Sequence, residues 1–193
     1  MVTAANTQSK SQGLELQVMF QDESRFGRIN DIKRCWSYKG NRPAIAKQVI
    51  REYSYIYGAF CPITGVSDML ILPSMTLECM NIFLQELSIR HPDKFILLIC
   101  DGASNHRQTS ITIPQNIMIH HLPPLSPQLN PAENIWKEIK EKFFYNKLFH
   151  SMEDVLNRMS DAILKYEASP QIIKSITSWN WIIYPINSVL KDN

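Results

Sequence analysis

No two of the four cysteines, Cys35, Cys61, Cys79 and Cys100, stand at Cys-x-x-Cys spacing. Neither a zinc site nor a disulfide framework therefore follows, and reduced, partly buried thiols are expected. The chain also lacks an excess of one charge. Twenty Lys and Arg against eighteen Asp and Glu leave a net charge of +2 over 193 residues. Bulk charge does not mark a nucleic-acid binder, so any DNA contact has to come from local basic patches. Long apolar runs are missing as well. The longest, Phe95 to Cys100, falls far short of the roughly 20 residues that span a bilayer. Residues Thr3 to Gly13 are polar and carry one lysine, which excludes a signal peptide of the usual kind. A cytoplasmic protein with no membrane partner is expected. There is no internal repeat. What remains is an ordinary globular composition, 45% hydrophobic and 20% charged, with length enough for one full core.

Residues 1–13 read as a flexible polar tail and residues 14–193 as a single domain. From Leu14 to Phe20 apolar and other residues alternate, the period of a strand, and Asp22 follows at its end. The stretch from Glu23 to Gln48 is irregular and basic, with a short strand near Trp36. Tyr53 to Phe60 and Val66 to Leu72 flank the turn Cys61-Pro-Ile-Thr-Gly65 and read as a hairpin. Thr76 caps a helix to about Arg90, whose Leu77, Met80, Phe83, Leu84 and Leu87 recur at helical spacing. Phe95 to Cys100 has the pattern of a strand buried on both faces. Ile117 to His121 is a short further strand. After a proline-rich loop, Asn130-Pro131 opens a helix striped by Ala132, Ile135, Ile139 and Phe143. Ser151 caps another helix to about Glu167, and Ser169-Pro170 starts a third. Trp179 to Tyr184 is an apolar terminal segment that packs back on the domain. This order predicts an α/β fold: a mixed five-stranded sheet with helices on both faces, the element order of ribonuclease H-like proteins.

The chemistry rests on carboxylates. Hard divalent cations take oxygen ligands, and carboxylates at the carboxyl ends of neighbouring parallel strands converge. Asp22 and Asp101 each end a predicted strand. A carboxylate directly after an apolar run is costly to bury without a partner. The competing reading of each is an ordinary turn residue. Glu133 has two readings too. At the third position after Asn130 it suits a capping contact to the helix start, or an ion pair with Lys137. His106, five residues past Asp101, stands between a site residue and a packing residue. His120 and His121 read as structural.

The segments Gln21-Asp-Glu-Ser-Arg-Phe-Gly-Arg28, Trp36-Ser-Tyr-Lys-Gly-Asn-Arg-Pro43, Asp101-Gly-Ala-Ser-Asn-His106 and Leu122-Pro-Pro-Leu-Ser-Pro-Gln-Leu-Asn-Pro-Ala-Glu-Asn-Ile-Trp136 resemble the mariner-type insertion-sequence transposases. These form a branch of the DDE superfamily. The proline-rich block ending in Asn-Pro-x-Glu is the specific part; the lone Asp-Gly is weak without it. The resemblance runs from about Leu16 to Trp181. It places the catalytic and metal-holding triad on Asp22, Asp101 and Glu133.

The resemblance implies cut-and-paste DNA transposition with two Mg²⁺ ions, or Mn²⁺ in their place. Double-stranded DNA is the implied partner, as terminal inverted repeats and as target, with a homodimer on the DNA. Arg25, Arg28, Lys39, Arg42, Lys137 and Lys140 are the candidate phosphate contacts. Two departures stand out. Asn105 occupies a place where the family commonly has an aromatic residue. Only about a dozen residues precede the first strand, where relatives carry helix-turn-helix modules. Such a module is then supplied by a separate or frameshifted chain, or the copy is truncated. The alternatives are a ribonuclease H-type nuclease and an inactive or partner-dependent remnant that binds DNA without catalysis.

Overall fold

The protein is described from a computed structural model, which covers residues 1–41, 43–102 and 111–191. Five strands form one sheet: β1 (Glu15–Ile29), β2 (Val49–Phe60), β3 (Ser67–Leu72), β4 (Lys94–Cys100) and β5 (Ile117–His121). Their order is β3-β2-β1-β4-β5. β1 pairs antiparallel with β2, and β2 with β3, whereas β1–β4 and β4–β5 are parallel. The helices are α1 (Val2–Gln12), α2 (Leu77–Arg90), α3 (Ala132–Ile139), α4 (Met152–Glu167), α5 (Pro170–Thr177) and α6 (Asn180–Lys191). This is the expected α/β, ribonuclease H-like arrangement.

Alternation along the strands divides the core. Met19, Tyr57, Ile96 and Leu98 point to one face, where α2 covers them with Met80, Phe83, Leu84 and Leu87. Leu16, Val18, Phe20, Phe95, Leu97 and Ile99 point to the other, beneath Ile182 and Ile186 of α6 and Ala5 of α1. Further along that second face, Phe26, Ile56 and Phe60 meet Ile135, Trp136 and Ile139 of α3, with α4 and α5 behind them. The inner strand β4, between β1 and β5, is buried along nearly its whole length, as a strand flanked on both sides and covered on both faces must be.

Caps follow the sequence closely. Thr76 accepts a hydrogen bond from the Cys79 amide. Ser151 and Asp154 form a reciprocal capping box at the start of α4. The Asn130 side chain accepts from the Ala132 amide at 3.1 Å, and Pro131 takes helical dihedrals, φ −65° and ψ −16°.

Three expectations are corrected. The expected tail is helix α1, with Ala5 and Ser9 fully buried. It packs on α6, β1 and β4, and Gly13 closes it at φ 68°, a backbone state that glycine adopts without strain. Its buried contacts come from small residues, which carry almost no periodic hydropathy signal. Secondly, Asp22 does not end its strand. β1 outruns β4 and continues to Ile29 along β2. Thirdly, no strand forms near Trp36. Residues 31–41 lie exposed, and the Trp36 ring is fully in solvent. Among the described residues, no helix is long and apolar enough to cross a membrane.

Candidate active site

The parallel β1–β4 ladder ends at Phe20 opposite Ile99. Asp22 and Asp101 each lie two residues further on. They therefore stand at matching positions just past the end of the parallel ladder, Asp101 after β4 and Asp22 within β1 where it continues along β2. This is the side of the sheet where the carboxyl ends of parallel strands bind ligands. Asp22 is buried, Asp101 is half-buried and Glu133 is exposed.

Helix α3 brings Glu133 to this end of the sheet through two hydrogen bonds, one to Asp22 and one to its neighbour Gln21. The Asn130 amide, itself buried, donates to the Gln21 carbonyl at 2.9 Å. The Trp136 indole N–H donates to Oδ2 of Asp22, also at 2.9 Å. The indole is wedged edge-on against Phe26 and Phe60. Room for it exists because Gly58 stands directly opposite Asp22 in the β1–β2 pairing. A Cβ at position 58 would lie 2.7 Å from the indole ring.

The electrostatics report the same convergence. Asp22 has its pKa pushed up to about 8. Burial is the largest cause, followed by the negative charges of Glu133 and Glu23, with a smaller contribution from Asp101. Glu133 is thus the carboxylate felt most strongly at Asp22. Among the described residues, no group of three His, Cys, Asp or Glu side chains is close enough to hold a metal ion. The donor chemistry nevertheless suits a hard divalent cation, since all three groups are carboxylates. Burial first and the neighbouring charges second hold Asp22 protonated, and a cation among the carboxylates would offset the second of these.

The capping reading of Glu133 has no support among the described contacts. No hydrogen bond runs from its carboxylate back to the helix start. That place is filled by Asn130, whose oxygen takes the Ala132 amide. Asn130→Ala is expected to cost about 2–3 kcal/mol, because it leaves the Gln21 carbonyl and the Ala132 amide without partners. Chemical denaturation measures this directly. A loss below about 0.5 kcal/mol would show that the tie contributes nothing.

The rim combines an apolar loop with basic groups. Asp101 and Gly102 line a cleft of about 450 Å³ with Leu122, Pro123, Pro124, Leu125, Ser126 and Pro127. Leu125 is 98% exposed and held at φ 57°. A second groove, of about 250 Å³, is lined by Arg25, Gly27, Ile29, Asp31, Glu52, Tyr53 and Lys140. There the Arg25 guanidinium lies 5.0 Å above the Tyr53 ring. The Lys140 ammonium lies 5.6 Å from the centre of the Phe26 ring.

The remaining candidates divide. Lys39 and Lys137 are exposed. Arg28 is a structural tie: it donates to the carbonyls of Phe149 and His150 and pairs with Glu52 at 2.7 Å. Arg42 and His106 lie outside the described residues. His121 contacts the Asp101 carbonyl at 3.1 Å and the Cys100 sulfur at 3.4 Å, consistent with its structural reading. Trp136 and Gly58 escaped the residue-level reading. The available signal was a tryptophan one turn after Glu133, since a buried indole N–H needs an acceptor.

The profile of the DDE superfamily endonucleases matches residues 17–156. An uncharacterised protein of Sinorhizobium fredii, y4pE/y4sA, is 34% identical over 130 residues, covering 67% of this chain and 96% of the relative. Solved structures of Mos1 share the fold. The pre-cleavage Mos1 transpososome superposes with a TM-score of 0.59 at 13% identity, over 98% of this chain and 62% of the Mos1 chain. The Mos1 paired-end complex with Mn gives 0.59 at 13% identity, over 90% and 57%. The chain spans about three fifths of the length of these Mos1 chains. With well over half of its sequence matched, the chain belongs to the DDE superfamily of endonucleases.

Proposed function

We propose that this chain is the catalytic domain of a mariner-type DNA transposase, hydrolysing phosphodiesters at transposon ends and transferring the freed strand to target DNA. The observation that carries this reading is the matched placement of Asp22 and Asp101 just past the end of the parallel β1–β4 ladder, with Glu133 near enough to raise the Asp22 pKa. On this reading Asp22, Asp101 and Glu133 hold two Mg²⁺ ions, which Mn²⁺ can replace. Such a pair supplies activation of the attacking oxygen and charge stabilisation of the leaving one.

The chain's own residues do the rest. The three carboxylates come from β1, the end of β4 and α3, so the sheet and one helix fix their relative positions. Lys137 lies one turn beyond Glu133 on α3, and Lys140 follows it. Both would meet phosphates of DNA lying on the acidic site. Arg25 and Lys39 extend the basic surface, and Arg42 belongs to the same sequence cluster. A homodimer on DNA follows from the need to bring two ends together. The Mos1 relatives were solved with transposon ends in a paired-end complex, which supports DNA as the partner here. The site of action is the cytoplasm, at the nucleoid when the chain is bound to DNA.

The test uses purified chain, a labelled duplex carrying the inverted repeats that flank its gene, and a plasmid target. Nicked ends and joined products in Mg²⁺, both lost on adding chelator, are expected. Binding should weaken steeply with salt, as phosphate contacts demand. Cleavage without joining would make the chain a ribonuclease H-type nuclease. Binding without cleavage, in Mg²⁺ and in Mn²⁺, would leave a non-catalytic remnant and end the enzymatic reading.

A further inference from the structure

We infer that Trp136 is a positioning residue of the acidic site: its indole N–H holds one oxygen of Asp22 and locks that carboxylate to the helix carrying Glu133. The inference rests on the proposed metal-holding role of Asp22 and Glu133. It adds a residue outside that triad and a reason for its geometry.

Its basis is the seating of the ring. Trp136 is 2% exposed, and Phe26 and Phe60 hold the indole edge-on at centroid distances of 6.3 and 5.4 Å. The backbone at Gly58 closes a further side, since even one added carbon there would reach within 2.7 Å of the ring. A ring held this way cannot slide, so its N–H points to one place. That place is Oδ2 of Asp22, 2.9 Å away. An indole N–H only donates and keeps its proton at any working pH. The bond therefore fixes which Asp22 oxygen is engaged and removes the rotation of the carboxylate about its own axis.

The helix adds the coupling. Glu133 and Trp136 are three residues apart on α3, neighbours on its surface. Asn130, three residues before Glu133, holds the Gln21 carbonyl next to Asp22. Two side-chain donors thus tie α3 and the residue leading into it to β1, one at the Asp22 carboxylate and one at the carbonyl of the residue before it. A shift of α3 that moved Glu133 would have to break one of them. Hydrogen bonds of this kind to metal-holding carboxylates orient them, and losing one typically costs about 10–100-fold in metal affinity or activity.

Trp136→Phe keeps an aromatic ring and deletes the donor. In the purified full chain, Mn²⁺ binding followed by electron paramagnetic resonance should weaken about 10–100-fold. The Mn²⁺ concentration giving half-maximal cleavage should rise in the same ratio, and the rate at saturating Mn²⁺ should fall less. A core tryptophan with no positioning role would lower the melting temperature and leave both Mn²⁺ constants unmoved; that result overturns the inference. If Trp136→Phe does not fold, Gly58→Ala is the second variant. It crowds the indole without changing its chemistry and should weaken Mn²⁺ binding in the same direction, and unchanged affinity again overturns the inference. Absence of Mn²⁺ binding by the wild-type chain would instead count against the metal site itself.

Discussion

Asp22→Asn is expected to abolish strand cleavage and, in the same preparation, to raise the melting temperature of the metal-free protein at pH 8. The two effects have one cause. Asp22 sits buried beside Glu133, Glu23 and Asp101, and its pKa is raised from 3.8 to about 8. Its ionised form is therefore unfavourable in the fold. Between those two values the folded chain keeps a proton that the unfolded chain has lost. Stability from this group is complete below pH 4 and declines as pH rises towards 8, by up to about 1.4 kcal/mol per pH unit. Asparagine removes the titration. Its side-chain oxygen still accepts from Trp136, so packing is kept.

On the proposed metal-holding role of Asp22, the same neutrality removes a cation ligand. A metal lost from a two-metal phosphoryl-transfer site forfeits several kcal/mol of transition-state stabilisation, on the order of 10³-fold or more in rate. Calorimetry from pH 5 to 8 in chelator, beside cleavage assays in Mg²⁺, tests both halves. The stability of the variant should vary less with pH than that of the wild type. Near-normal cleavage by Asp22→Asn would sink the metal reading. Parallel pH curves would sink the electrostatic one.

Glu133→Gln should likewise lower cleavage on the order of 10³-fold, with stability changed by less than about 0.5 kcal/mol. Glu133 is exposed on the first turn of α3. Its carboxylate makes no capping bond among the described residues, and Asn130 fills that role. Removing its charge relieves repulsion at Asp22 and breaks nothing in the core. A side chain kept only for the helix would behave in the opposite way, losing about 1 kcal/mol from the fold with turnover intact. Measured together with Asn130→Ala, the pair separates chemistry from support. The Asn130 variant should show the larger loss of stability, and the Glu133 variant the larger loss of rate per unit of stability.

Both outcomes bear on how an acidic site is built into an otherwise apolar sheet end. Asp22 is unstable in its ionised form at neutral pH, yet it is locked in place by an indole and flanked by a tied helix. Strain of this kind is found at functional sites and is supported by the surrounding packing. Here the support is identifiable as Trp136, Asn130 and Gly58.

Local signals in the sequence determined much of this protein without reference to the fold. The apolar run Phe95 to Cys100, the caps at Thr76 and Ser151, and the helical stripe of α2 each lie within a few residues, and each formed as expected. A five-stranded mixed sheet follows from their order. Other features were decided only in three dimensions. β1 runs on past Asp22 because β2 pairs with it. The first residues are helical because Ala5 and Ser9 find a surface between β1, β4 and α6. Arg28 is drawn into ties with residues more than a hundred positions away. The Trp136–Asp22 bond spans 114 residues, and Gly58 matters only because that indole lies across it. Hydropathy and capping are written in neighbouring residues, so they can be read one segment at a time. A hydrogen-bond partner, or the space left by a missing side chain, depends on a distant segment that the folded chain alone brings into contact.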